Sequence, residues 1–259
     1  MNLTSILKES LSLIRQQPKV FIPKLVTTLL YSVYTLWAAK LSLKAVSVKT
    51  PEAMAALFPE VLMLFAFMLG IYFIDLVSYA MYPSIVNDFN SKSDIMLRKS
   101  LLEALKAWKI IVVLGFAIQL FLLAMLAVAG FIEVMALESS TPVLTSVIIP
   151  LFIVCMIAFS ILVFFVIPIA IAEKKGIRQS FQKSIELGLR HKKDLLKINL
   201  VFLALAAVTL AVSLLSEFTG LIALAALIVF LAVRLIQAVI YTYLCVVNPI
   251  AYFKIRENT

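Results

Sequence analysis

Two ionisable residues stand inside long apolar runs of this sequence. Asp75 lies in the run that ends at Pro83, and Arg234 in the run that ends at Pro249. A charge in hydrocarbon is costly, so each marks a candidate site by default. Tyr72, Asp75, Tyr79 and Tyr82 follow three-four spacing and share one helix face; Arg234, Gln237, Tyr241 and Asn248 share another. Lipid offers no hydrogen bonds, so both polar stripes are expected to turn inward. With Gln119 and Ser160 they would line a polar cavity or a transport path. The candidate intramembrane site is Asp75, Tyr79, Arg234, Gln237 and Tyr241. The favoured role is nonetheless a structural tether between spans, held by hydrogen bonds that average about 0.6 kcal/mol in membranes, with the cavity or transport path as the alternative. Counted back from the prolines, Asp75 is 8 residues deep and Arg234 is 15. At about 1.5 Å per residue that is a mismatch of about 10 Å. Snorkelling and tilt narrow it, but a direct Asp75–Arg234 pair is not favoured.

Other reactive residue types lack the company that chemistry needs. The single histidine, His191, sits among Arg190, Lys192 and Lys193, with no partners for a triad or a zinc site. Cys155 and Cys245 fall in apolar runs and read as small buried hydrophobes. Glu60 and Glu133 lie near span ends, where a carboxylate is solvated or snorkels outward. Glu173 follows the fourth apolar run and is placed to cap it or to pair with Lys174 or Lys175. No phosphate-cradling loop, metalloprotease helix or nucleophile elbow occurs. No cofactor or metal is expected, and the chain is not read as an enzyme.

The elements that carry these residues follow from composition. The apolar fraction is 63% and charged residues are 14%. A soluble globule of 259 residues has too little polar surface to cover that excess. A single membrane domain over residues 1–259 is expected. The net charge of +9 comes from Lys and Arg between the apolar runs. That pattern fits topology and anionic lipid, not nucleic acid.

Six stretches are long enough to span, at 20–43, 54–85, 110–137, 143–172, 195–215 and 221–251. The N-terminus lacks the apolar core of a cleaved signal peptide, so the first span is expected to stay. Basic residues crowd the segments after the second and fourth spans, whereas the turns at 138–142 and 216–220 contain none. Lys44 and Lys49 weaken the contrast in the first outer loop. The positive-inside rule places both termini in the cytoplasm, in a multi-pass protein of the cytoplasmic (inner) membrane.

The basic segments have helical periodicity of their own. Leu97, Leu101, Leu105 and Trp108 recur at helical spacing, as do Ile177, Phe181, Ile185 and Leu189, and Leu3, Leu7, Leu11 and Ile14. Each predicts an amphipathic helix in the cytoplasmic interface. Arg98, Lys99, Lys106, Arg178, Lys183 and Arg190 would be the membrane-surface bases facing the anionic leaflet.

Setting Ser10, Ser100 and Ser184 in register aligns Leu7, Leu97 and Phe181, and also Leu11, Leu101 and Ile185. The residue before each serine is charged: Glu9, Lys99 and Lys183. The even-numbered spans end alike, at Pro83, Pro168 and Pro249. Proline kinks or ends a helix, and here it would turn the chain from span to surface helix. The fold class expected is therefore an all-α polytopic bundle. Its spans form three similar hairpins, in units of about 1–90, 91–174 and 175–259.

The stretch 165–188 resembles a pattern in six-helix membrane families of bacteria and archaea. It is also similar to the membrane domain attached to some glycerophosphoryl diester phosphodiesterases. Pro168, Glu173, Gly176, Ser180, Phe181 and Ser184 match its positions. The first junction departs from it, with Asn87 and Asp88 where a Glu is expected. The soluble phosphodiesterase domain is not among these residues, so the resemblance implies architecture and no hydrolase activity. The N-terminal amphipathic stretch before six spans also resembles permease subunits of ABC-type exporters, which are not built from three similar hairpins.

The function expected is a non-enzymatic membrane protein that handles or organises lipid or a small solute. The alternative is a permease subunit or other small transporter. Membrane lipid of the anionic leaflet is the expected partner; a homo-oligomer or a separate partner subunit stays open.

Overall fold

The computed structural model describes residues 2–48, 50–139, 143–217 and 223–257. The side chain of Glu133 lies outside the described residues, as do Lys49 and parts of both outer turns. Every regular element described is helical. Six helices are long and apolar enough to cross a membrane: Pro18–Ser47, Met54–Asn90, Trp108–Ile132, Pro150–Ala172, Lys192–Ala211 and Leu227–Glu257. Between 17% and 33% of their most apolar windows is buried within the bundle. Phe116, Leu120, Leu123 and Phe131 therefore project outward, a surface suited to hydrocarbon and not to water. The chain is an all-α, multi-pass membrane protein.

In chain order the elements begin with α1 (Leu3–Gln16), a 3-10 turn (Pro18–Phe21), α2 (Ile22–Ser47), α3 (Pro51–Ala56) and α4 (Phe58–Asn90). There follow α5 (Leu97–Lys106), α6 (Trp108–Ser139), α7 (Val143–Val163) and α8 (Val166–Ala172). The last three are α9 (Ile177–Arg190), α10 (Lys192–Glu217) and α11 (Ala223–Glu257). Asn2 caps α1 by accepting from the Ser5 amide at 3.4 Å. Pro23 and Pro59 stand in the first turns of α2 and α4, where a missing N–H costs nothing.

The three late prolines act differently from expectation. Pro83 and Pro249 lie inside α4 and α11, which continue to Asn90 and Glu257. Neither ends its span. The fourth span does break, but upstream of Pro168, at Phe164–Phe165. Pro168 has no N–H for the Phe164 carbonyl one turn earlier. That carbonyl instead accepts from Asn248 Nδ2 of α11 at 2.5 Å. Ser184 of α9 mends the rest of the break: its hydroxyl donates to the Leu162 carbonyl at 2.8 Å and accepts from the Phe165 amide at 3.1 Å.

α1, α5 and α9 are discrete helices, as their periodicity predicts. Each turns small or serine side chains to the bundle: Ser10, Ser100 and Ser184 are wholly buried, with Ala104 and Gly188 beside the latter two. Of the larger apolar residues, Ile6, Leu13, Ile14 and Leu187 are buried with them, while Leu11, Leu101 and Ile185 are left outward at 60%, 39% and 39% exposure.

Packing follows chain order. α2 lies on α4, α6 on α7, and α10 on α11. Each returning helix also meets the next outgoing one: α4 with α6, α7 with α10, and α11 with α2. The proline-bearing ends of α4, α8 and α11 touch one another. Around them sits the core, including Tyr82, Ile85, Phe165, Ile169, Ile250 and Tyr252. The Tyr82 hydroxyl donates to the Val20 carbonyl at 3.1 Å, as a buried phenol must find an acceptor.

Candidate functional site

α2, α4 and α11 enclose a cavity of about 490 Å³. Asp75 enters it from α4; Arg234, Gln237 and Tyr241 enter from α11. Four of the five residues expected to form an intramembrane site are thus brought together. The fifth, Tyr79, is not. It lines a smaller chamber of about 210 Å³ with Ser160 and Asn248. The two stripes split because α4 and α11 each touch several neighbours, so successive residues on one face meet different helices. Ser160 is taken up there by Asn199, to whose Oδ1 its hydroxyl donates at 2.7 Å.

Asp75 and Arg234 do not pair. Asp75 accepts from Lys24 Nζ at 2.7 Å, and the Lys24 side chain is only 6% exposed. A buried ammonium is thus held by a carboxylate that is itself 32% exposed, and it is the lysine that would be left uncompensated without its partner. Lys24 is the residue that sequence reading missed. It stands in the first turn of α2 beside Pro23, at the polar end of a span. A signal was available, since Lys24, Thr28, Tyr31 and Thr35 recur at helical spacing and all line the cavity.

Arg234 has a different environment. Its Nη1 donates to Gln237 Oε1 at 3.0 Å and its Nη2 to Thr35 Oγ1 at 2.8 Å. The guanidinium lies 5.0 Å from the Phe230 ring centroid, within cation–π range. Its Nε is buried without a hydrogen-bond partner. A guanidinium carries five donors in a planar fork suited to carboxylate or phosphate. The cavity wall therefore holds two cations, Lys24 and Arg234, against one carboxylate, Asp75.

A second chamber of about 550 Å³ adjoins the first, between α4 and α6. Tyr31 lines both. Apart from Tyr31, Tyr72 and Gln119 its wall is apolar, with Phe65, Leu69 and Phe116 among its residues. The Tyr72 hydroxyl is spent on the Gly115 carbonyl at 3.0 Å. Gly115 lets α6 approach here, since a Cβ would come within 2.5 Å of Leu76 Cδ1.

At the proline-bearing end, ion pairs recur at three equivalent junctions of the described residues. Lys99 Nζ meets Asp88 Oδ1 at 2.6 Å, Lys183 Nζ meets Glu173 Oε1 at 2.5 Å, and Lys254 Nζ meets Glu9 Oε2 at 2.5 Å. Asp88, Glu173 and Lys254 each stand five residues after their proline, and Lys99, Lys183 and Glu9 each stand one before their buried serine. Lys99 and Lys183 are therefore committed to ion pairs. Arg190 bonds Glu186 at 3.2 Å, while Arg98, Lys106 and Arg178 are exposed. Glu60, at the other end, meets Lys44 at 2.7 Å.

Glu173 is the most heavily used of these carboxylates. It also bonds Lys175 at 2.9 Å and accepts from the Tyr252 hydroxyl. Burial opposes its charge, yet the hydrogen bonds from Lys183, Tyr252 and Lys175 hold its carboxyl down at about 2. The bond to Asp88 raises the Lys99 ammonium above its ordinary value, and the bond to Glu173 does the same for Lys175. Among the described residues, no three His, Cys, Asp or Glu side chains come together in a metal-binding group.

Comparison with known protein families, with curated proteins and with solved structures gives no match for this chain. Its chemistry must be read from its own side chains.

Proposed function

We propose that this chain is a non-enzymatic protein of the cytoplasmic membrane that holds an anionic lipid or small organic anion in the cavity between α2, α4 and α11. One observation carries the reading. Two cations face one carboxylate inside an apolar bundle, and an uncompensated intramembrane charge needs a counter-ion. Arg234 suits it, since its hydrogen bonds go to neutral side chains only and Nη1 and Nη2 each keep a second N–H. Native mass spectrometry of the protein released from its membrane tests this. Wild type should carry an anionic adduct that Arg234→Gln loses; an adduct of equal occupancy in both would overturn the reading.

The same reading takes the bundle as three related hairpins closed in a ring. Its support is the recurrence of one junction: a proline, a charged residue five positions on, and an oppositely charged partner beside a buried serine. Helix adjacency repeats in the same order, and α11 meets α1 and α2 as α4 meets α5 and α6. In the third junction the signs are exchanged. Pro168, Glu173 and Ser184 carry the likeness to six-helix families and the membrane domains of phosphodiesterases, and all three work in such a junction. That favours a shared architecture over a shared reaction.

α1, α5 and α9 are placed in the cytoplasmic interface. The outward stripe of Leu11, Leu101 and Ile185 would enter the acyl boundary, and Arg98, Lys106 and Arg178 would meet anionic headgroups. Both termini then lie in the cytoplasm.

A further inference from the structure

We infer that the occupant of the polar cavity is an anionic lipid whose acyl chain runs past Tyr31 into the apolar chamber between α4 and α6. This rests on the anion-binding reading above and narrows its ligand from any anion to an amphiphile.

The two chambers have complementary chemistry and share a wall. The first offers Lys24 and Arg234 together with threonine and tyrosine hydroxyls. The second offers Phe65, Met68, Leu69, Phe73 and Phe116. Tyr31 lines both, so the two chambers abut at that side chain. Each chamber is within the size range that small-molecule sites use. A soluble anion would fill the first and leave the second without a role. An amphiphile with a phosphate or carboxylate head fits both, because its parts segregate as the side chains do.

Access supports the same ligand. Phe65, Leu69, Phe73 and Phe116 are 53%, 49%, 39% and 66% exposed. The apolar chamber therefore opens sideways, on the surface that faces hydrocarbon. An acyl chain can enter there without crossing water. The head would be drawn inward by Arg234, whose remaining donors suit a bidentate oxyanion. Asp75 stays engaged with Lys24, so the net positive charge is localised on the Arg234 side.

The experiment uses the full chain in phosphatidylcholine vesicles containing a small fraction of phosphatidic acid with a diazirine on one acyl chain. Phosphatidylcholine bearing the same diazirine chain is the comparison. After illumination, labelled residues are mapped by mass spectrometry. Phosphatidic acid should label Leu69, Phe116 and their chamber neighbours at least about tenfold above phosphatidylcholine, a difference of about 1.4 kcal/mol. Arg234→Gln should reduce it to the phosphatidylcholine level, and Leu69→Trp should move the label out of the chamber.

Selective labelling spread over the outside of the bundle, still dependent on Arg234, would overturn the chain's place and leave the anion site standing. Displacement of the labelled lipid by inorganic phosphate would make the ligand a soluble anion and also overturn the inference. Labelling indifferent to headgroup and to Arg234 would remove both this inference and the reading it rests on. The first comparison needs no variant, so a misfolded mutant cannot decide the outcome.

Discussion

Lys254 of the last helix lies 2.5 Å from Glu9 of the first, and also donates to Ser5 Oγ at 2.5 Å. It joins the two ends of the chain with the chemistry that joins Lys99 to Asp88 and Lys183 to Glu173, but with the charges exchanged. Two consequences follow from the exchange. At the other junctions Lys254 would meet the like charge of Lys99 or Lys183, and Glu9 that of Asp88 or Glu173. Wrong closures are therefore penalised as well as the right one favoured.

Reversing that pair should reveal its contribution. Glu9→Lys places two cations together and should destabilise the protein by ~1–2 kcal/mol, between the values for exposed and buried pairs. Glu9→Lys combined with Lys254→Glu should recover most of the loss. Thermal unfolding in detergent measures both; a double variant no better than the single would show that the pair is not coupled.

The cavity charges should separate tether from ligand site. Asp75→Asn leaves Lys24 buried and uncompensated and should cost about 3–5 kcal/mol. Asp75→Asn with Lys24→Gln should restore much of it. Arg234→Gln removes no carboxylate's partner, so folding should change little while anion binding is lost. Equal destabilisation by Arg234→Gln and Asp75→Asn would make Arg234 a tether.

The Glu173 junction predicts a defined response to acid. Its carboxyl is held at about 2, below the ordinary 4.5. A depressed folded value means that its contribution is complete above pH 4.5 and is lost as pH falls toward 2. The melting temperature of wild type should fall across that window. Glu173→Gln should be less stable at neutral pH and should converge on wild type near pH 2. Parallel curves would place the acid response elsewhere.

Glycine substitutions should rank by what a Cβ would meet. At Gly188 it would lie 2.4 Å from the Ile161 backbone oxygen, so α9 must lift from α7. Gly188→Ala should cost about 1–3 kcal/mol. Gly115→Ala meets the flexible end of Leu76 and should cost less. Gly70→Ala meets nothing within 4 Å and should be neutral or slightly stabilising by helix propensity. Chemical denaturation of the three variants gives the order.

A green fluorescent protein fused after Thr259 should fluoresce, as expected for a cytoplasmic C-terminus, whereas a periplasmic alkaline phosphatase fused there should be inactive. The opposite pair of results would invert the topology.

The sequence makes six spans legible because hydropathy is a local property. The register of Ser10, Ser100 and Ser184 is also visible, since helical periodicity and small residues recur there. Pairing is not local. Three-four spacing puts Asp75 and Tyr79 on one face of α4, but which helix meets each is decided by packing, and they fall in separate chambers. Lys24 hides for a related reason: at the end of a span a lysine normally reaches water, and only the approach of α4 turns it onto Asp75. The break at Phe164–Phe165 is shifted from Pro168 because proline disturbs the carbonyl one turn before it, and because Asn248 and Ser184 stand ready to take the released groups.

With α9 in its proposed place, that mended break would tie the membrane surface to the interior. The hydroxyl that satisfies the Leu162 carbonyl and the Phe165 amide belongs to α9, the helix proposed above to lie in the interface. If α9 moved outward, both backbone groups would be left in an apolar surround, at several kcal/mol each. The depth of α9 and the continuity of the fourth span are thus one mechanical coordinate. On that placement, lateral pressure or headgroup charge acting on α9 would be transmitted as a lever onto a hinge in the core.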